Sequence, residues 1–292
     1  MKTARTTGTT RKIVPAAGRG FSLFELLLSM TITIVLVGLM SLAISSVGTT
    51  FNRSTGHLEA TSEARTALSL LRSDLESAVF RASEGEWLKA TPEVVQRDAA
   101  WTATRAYWLT FFAPSEDRDA GDGDLCALSY RLVWQDPIAS PTATATVPTF
   151  ALYRAIAPAR ESWEDALGKP DVQTDFWSVR SGGDGRGTAE LLALHVVDLS
   201  LALQRRPPAS TVTERVALTD GLRVGDGEIQ TAAGLVLFPW EQLESLELTL
   251  TVLSPEGARL VGAMPMDDLV RSHGYVFTEV LRPHFLGGEL RE

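Results

Sequence analysis

Glu25 stands at the head of the longest uncharged run in this chain: from Leu26 to Asn52 no side chain is charged. An ionisable group at the rim of such a run is costly in lipid and calls for a partner. The chemistry open to it is electrostatic, a carboxylate pairing with a cation in a low-dielectric setting. Directly before it lies Arg19-Gly20-Phe21-Ser22-Leu23-Phe24, in which the small Gly20 meets the bulky Phe21. A second acidic group, Glu116 to Asp124, places Asp117, Asp119, Asp122 and Asp124 among glycines. Calcium takes about six to eight oxygens from loops of this kind. The spacing lacks the terminal glutamate of an EF-hand, and Arg118 supplies a local counter-charge. A solvated turn is therefore expected, with a calcium site as the alternative.

Other candidate constellations are absent. His57, His195, His273 and His284 are scattered and have no paired histidine or cysteine nearby. The stretch Ser181–Gly187 is glycine-rich but lacks the lysine ending and the strand-to-helix setting of a phosphate loop. No nucleophile elbow occurs. The single cysteine, Cys126, excludes an intramolecular disulfide and any multi-cysteine metal site. It falls in an apolar strand pattern, as a small buried hydrophobe would. Tryptophans such as Trp101, Trp108, Trp134 and Trp177 read as core or interface material. Neither an enzyme nor a resident cofactor is expected.

The elements that position Glu25 follow from charge and hydropathy. Residues 1–20 hold Lys2, Arg5, Arg11, Lys12 and Arg19 and no acid, whereas the rest of the chain is strongly acidic within a net charge of −9. That balance argues against nucleic-acid binding. Leu26 to Val47 is almost wholly apolar, and at about 1.5 Å per residue it spans roughly 33 Å, the thickness of a bilayer core. A buried core helix is rarely uncharged for so long, and a secretory signal has a shorter apolar region. A signal anchor fits better, with the basic flank in the cytoplasm and the acidic body outside.

Beyond Val47 the pattern turns amphipathic. Ala64, Leu68, Leu71, Leu75 and Val79 form a helical stripe, with charged residues on the other faces. One helix is predicted from about Ser22 to about Arg81, softened where Gly48 and Gly56 interrupt it. From about residue 100 the period changes to two. Arg105–Phe112, Leu125–Trp134, Thr149–Ile156 and Tyr275–Leu281 read as strands, and Leu191–Leu203 as one strand or a short helix and a strand. Leu246, Leu248, Leu250 and Val252 alternate with polar residues in the clearest strand of all. No helical pattern separates successive strands, so the sheet is antiparallel. The predicted fold class is α+β, a long N-terminal helix packed on an antiparallel β-sheet head.

The string Arg19-Gly20-Phe21-Ser22-Leu23-Phe24-Glu25-Leu26-Leu27 resembles the processing motif of type IV prepilins and type II secretion pseudopilins. The resemblance implies a basic leader, 1–20, cut between Gly20 and Phe21 by a prepilin peptidase that also methylates the new N-terminus. Glu25 then matches the glutamate that stands fifth in the mature chain. It further implies a membrane and filament-core helix at 21–48, an amphipathic helix at 49–82, and a periplasmic head at 83–292. The partners implied are the peptidase, other pilins or pseudopilins, and the inner membrane. Physically, trimming exposes an ammonium at Phe21 that needs a partner in the bilayer. Glu25, about a turn away, is expected to serve a neighbouring subunit's N-terminus, a device that sets register. The head resembles J-type minor pseudopilins, through the segment Ala64–Ala78 and the patterns near Ser129, Ala151 and Glu247. That implies a minor filament subunit near the tip, with a ligand-binding tip pilin on the same chassis as the alternative.

Overall fold

Helix α1 runs from Leu23 to Glu76 in the computed structural model, which describes residues 22–79, 85–95, 104–114, 125–137, 147–167, 172–173, 189–208, 212–216, 218, 220–225, 227–231 and 234–281. Two units divide the chain, Met1–Asn52 and Arg53–Glu292. In the first, none of the apolar stretch Leu23–Gly48 is buried. In the second, Ala64, Leu68, Leu71 and Leu75 are buried as one stripe, joined by Ala60 and Ala67. The helix passes through Gly56 without a break. A Cβ there would lie 3.2 Å from the Pro255 ring, so a residue that weakens helices is explained by close packing. The helix ends short of Arg81 because Val79 donates its N–H to the Phe112 carbonyl, 2.8 Å away, rather than to the preceding turn.

The strands are β1 (Glu86–Val95), β2 (Thr104–Pro114), β3 (Leu125–Gln135), β4 (Thr149–Ile156), β5 (Glu190–Leu194), β6 (Val196–Arg205), β7 (Glu214–Val216), β8 (Leu222–Gly225), β9 (Glu228–Gln230), β10 (Val236–Pro239), β11 (Leu243–Leu253) and β12 (Gly274–Leu281). They make two sheets: one of eight strands, ordered β10-β9-β8-β1-β2-β3-β4-β5, and one of four, ordered β12-β11-β6-β7. Every strand pairing is antiparallel. Two short helices, α2 (Pro255–Arg259) and α3 (Met266–His273), join β11 to β12. The α+β layout agrees with the sequence pattern, but the sheet is divided.

The division falls at His195. The segment Leu191–Leu203 is two strands, β5 in the large sheet and β6 in the small one, and His195 between them has φ +59°. Left-handed backbone at a non-glycine residue turns the chain where a continued strand would have run on. Thr149 Oγ1 lies 2.8 Å from His195 Nδ1, and the His195 carbonyl accepts the Leu253 N–H at 2.9 Å. The imidazole is thus tied to β4 and the backbone to β11.

Strand β1 has no counterpart in the sequence reading, which begins the strands at about residue 100, and a proline at 92 is uncommon inside a central strand. Its register explains the tolerance. β8 pairs with β1 only as far as Ala90, whereas β2 continues through Pro92, opposite Tyr107. At Pro92 the strand is locally an edge, where a missing N–H costs little. The core joins the helix stripe to Leu109, Phe111, Leu128 and Tyr130 of the large sheet and to Leu199, Leu248 and Leu250 of the small one. Phe111 and Tyr130 stack nearly parallel, with centroids 6.1 Å apart.

Candidate functional site

The exposed apolar surface of α1 is the first feature to account for. From Leu23 to Val47 its large hydrophobic side chains are at least half exposed, on every face of the helix. Leaving a Leu, Ile, Val or Met side chain in water forgoes about 1.5–3 kcal/mol. Over this many residues the deficit is on the order of tens of kcal/mol, too much for a helix that stays in water. The hydroxyls suit an apolar surrounding as well. Thr31 Oγ1 donates to the Leu27 carbonyl at 2.9 Å, and Thr33 Oγ1 to the Ser29 carbonyl at 2.7 Å. Such back-bonding satisfies donors that lipid cannot. The helix is long and apolar enough to cross a membrane.

Ser22 and Glu25 form the head of this helix. Glu25 N–H donates to Ser22 Oγ at 3.2 Å, and Ser22 N–H donates to Glu25 Oε2 at 3.5 Å. The pair is a reciprocal capping box, which satisfies two backbone donors that a helix start leaves open. The carboxylate turns back three residues to the Ser22 amide, because helix Cβ atoms tilt toward the N-terminus. The signal was legible as Ser-x-x-Glu before an apolar run. Gly20 and Phe21 lie outside the described residues, as do Asp117, Asp119, Asp122 and Asp124.

Four polar contacts fix the second half of α1 to the head. Asp74 takes Arg154 of β4 with two oxygens, Nε to Oδ2 at 2.8 Å and Nη2 to Oδ1 at 3.1 Å. The Tyr130 hydroxyl of β3 donates to the same Oδ2. Burial, and then the Asp74 charge, push the Tyr130 phenol well above its usual range. On the same flank, Glu63 Oε2 accepts the Leu194 N–H of β5 at 3.3 Å. On the opposite flank, Arg72 pairs with Glu279 of β12 at 3.4 Å, and His57 stacks on Tyr275 with centroids 4.4 Å apart. Both sheets therefore hold the helix. Asp74 carries no sequence signal beyond lying beside the buried Leu75, and Arg154 gives none in a strand pattern.

The remaining candidates are dispersed. Cys126 is buried in β3, as its pattern suggested. Trp87 is buried, Trp108 and Trp134 pack at the margin of the core, and Trp163 is 68% exposed. Among the described residues no group of three His, Cys, Asp or Glu side chains is placed to hold a metal ion.

No family model matches the chain, and no curated protein matches its sequence. Among solved structures, a type IV-like pilin from Thermus thermophilus is similar at 9% identity and a TM-score of 0.33, over 76% of this chain and 92% of that one. At that identity and score the likeness does not establish a common fold.

Proposed function

We propose that the chain is a prepilin-like membrane subunit, a minor pilin or pseudopilin of a type IV pilus or type II secretion filament. The observation that carries the reading is the head of α1. An apolar helix with nothing of Leu23–Gly48 buried starts on the Ser22–Glu25 box, directly after Arg19-Gly20-Phe21. In the membrane, lipid covers that surface; in a filament, like helices replace the lipid. The basic leader holds the N-terminus in the cytoplasm and the head lies in the periplasm. A prepilin peptidase removes residues 1–20 and leaves an ammonium at Phe21. Glu25 holds a neutral amide of its own chain in this structure. The ammonium of a neighbouring subunit is the stronger partner, because the bond is then charge-assisted. Exchange of one partner for the other couples entry into the filament to a set axial register. A place near the filament tip rests on the resemblance of the head.

Co-expression with a prepilin peptidase tests the reading. The chain is expected to shorten by the leader, and N-terminal sequencing to begin at Phe21. A bulky replacement of Gly20 is expected to block the cut. An intact Met1 in the presence of a peptidase that processes a control prepilin overturns it.

A further inference from the structure

The small sheet ends on an open strand. β12 pairs with β11 through eight unbroken positions, Gly274 opposite Leu253 to Leu281 opposite Leu246, and among the described residues no strand pairs on its other side. The other strands at sheet ends are shorter: β5 has five residues, β10 four and β7 three. Proteins usually blunt such edges with proline, lysine or a bulge. β12 has none of these. Its one charged residue, Glu279, points inward, which is itself a device that guards an edge, but its charge is met by Arg72. Its outer face carries Val276, 61% exposed, Val280, 49% exposed, and Thr278.

α1 supplies a wall beside this edge. It passes β12 with His57 on Tyr275 and Arg72 on Glu279. Leu58, Arg65 and Arg72 are seven residues apart and so share one flank of the helix. Leu58 is 65% exposed. Arg65 is also exposed, midway between the two contacts, and has no ion-pair partner among the described residues. A strand added to β12 would put alternate side chains against that flank and the others beside Val276 and Val280. The wall offers an unspent positive charge, and the outer face offers β-branched neighbours.

We infer that the free edge of β12, with Leu58 and Arg65 beside it, docks an extended acidic segment of another polypeptide by strand addition. The ladder supplies main-chain hydrogen bonds, and Arg65 selects for a carboxylate at an inward position. The inference stands apart from the filament reading, since it requires only an extended acidic partner.

The test uses the full chain in detergent micelles and a labelled peptide, Thr-Glu-Val-Glu-Val-Glu-Val-Thr, followed by fluorescence anisotropy. Hydrogen exchange is measured in parallel. The acidic peptide is expected to bind and to slow exchange of the amides of β12. A version with lysine for glutamate is expected to bind more weakly. Arg65→Gln is expected to weaken the acidic peptide about fivefold, near the upper end for an exposed ion pair. The double variant Val276→Glu/Thr278→Glu places like charges beside the acidic peptide and is expected to abolish its binding, and both positions are exposed, so the fold is kept; an unchanged melting temperature checks this. Equal binding of the two peptides, binding without protection of β12, or no binding at millimolar peptide each overturns the inference. Protection of β12 in the wild-type chain is decisive even where a variant is unstable.

Discussion

Asp74 and Arg154 close a two-pronged ion pair, 2.8 and 3.1 Å, between α1 and β4, with side chains only 14% and 11% exposed. Removing Asp74 leaves Arg154 charged and largely dehydrated, with Glu190 Oε2, 3.8 Å from Nη1, as a more distant ion-pair partner. Asp74→Ala is therefore expected to destabilise the head by about 3 kcal/mol. Replacing both, as Asp74→Leu with Arg154→Met, is expected to cost less than the single change, because no charge is stranded. Denaturant unfolding of the four proteins in a mutant cycle gives the answer. Additive losses in the double variant would mean that the pair is not coupled.

The capping box and the proposed pairing with a neighbouring subunit can be told apart at Glu25. A glutamine can still serve the box, but it carries no charge. Glu25→Gln is expected to insert in the membrane and to be trimmed, yet to fail to crosslink with other pilin-like subunits. Ser22→Ala removes the hydroxyl acceptor and keeps the charge. It is expected to weaken the helix start by about 1 kcal/mol and to reduce crosslinking only partly. Membrane fractionation and crosslinking measure both. Normal crosslinking by the glutamine variant would assign Glu25 to capping alone.

Asp198 gives the head a measurable pH dependence. Burial pushes its carboxyl up to about 6, against a hydrogen bond from Ser200 that lowers it. A folded pKa above the unfolded one favours the protonated native state. The stability is present below the unfolded value and is lost as pH rises through about 6. His195, lowered by burial, works the other way and loses stability as pH falls. Asp198→Asn is expected to gain roughly 2 kcal/mol at pH 7.5 and much less at pH 4, after allowance for partial solvent access. Melting curves of wild type and variant at the two pH values check it. An equal gain at both would remove Asp198 as the cause.

His195 holds the left-handed corner between the sheets. His195→Val is expected to destabilise by about 2 kcal/mol, since a β-branched residue tolerates that φ poorly and the Thr149 contact is lost. His195→Gly loses the same contact but relieves the backbone, and is expected to cost clearly less. The difference between the two variants in chemical denaturation isolates the backbone contribution.

How much of this was legible in the chain depends on the range of the interaction. Leu26–Val47, the stripe from Ala64 to Leu75, and the alternation from Leu246 to Val252 each repeat within a few residues, so they announced a spanning helix, a packed helix and a strand without reference to anything distant. Ser22 and Glu25 are three apart and were equally readable as a box. What only the tertiary structure decided joins residues far apart in sequence. Asp74 finds Arg154 and Tyr130 across two strands, and β1 accepts Pro92 because β8 stops at Ala90. Leu191–Leu203 splits at His195 because β4 and β11 each hold one side of the corner. The helix stops at Glu76 because a strand carbonyl captures Val79. Local periodicity encodes which face is apolar. Which neighbour covers that face, and where a strand changes sheets, is set by pairings whose two halves lie tens of residues apart.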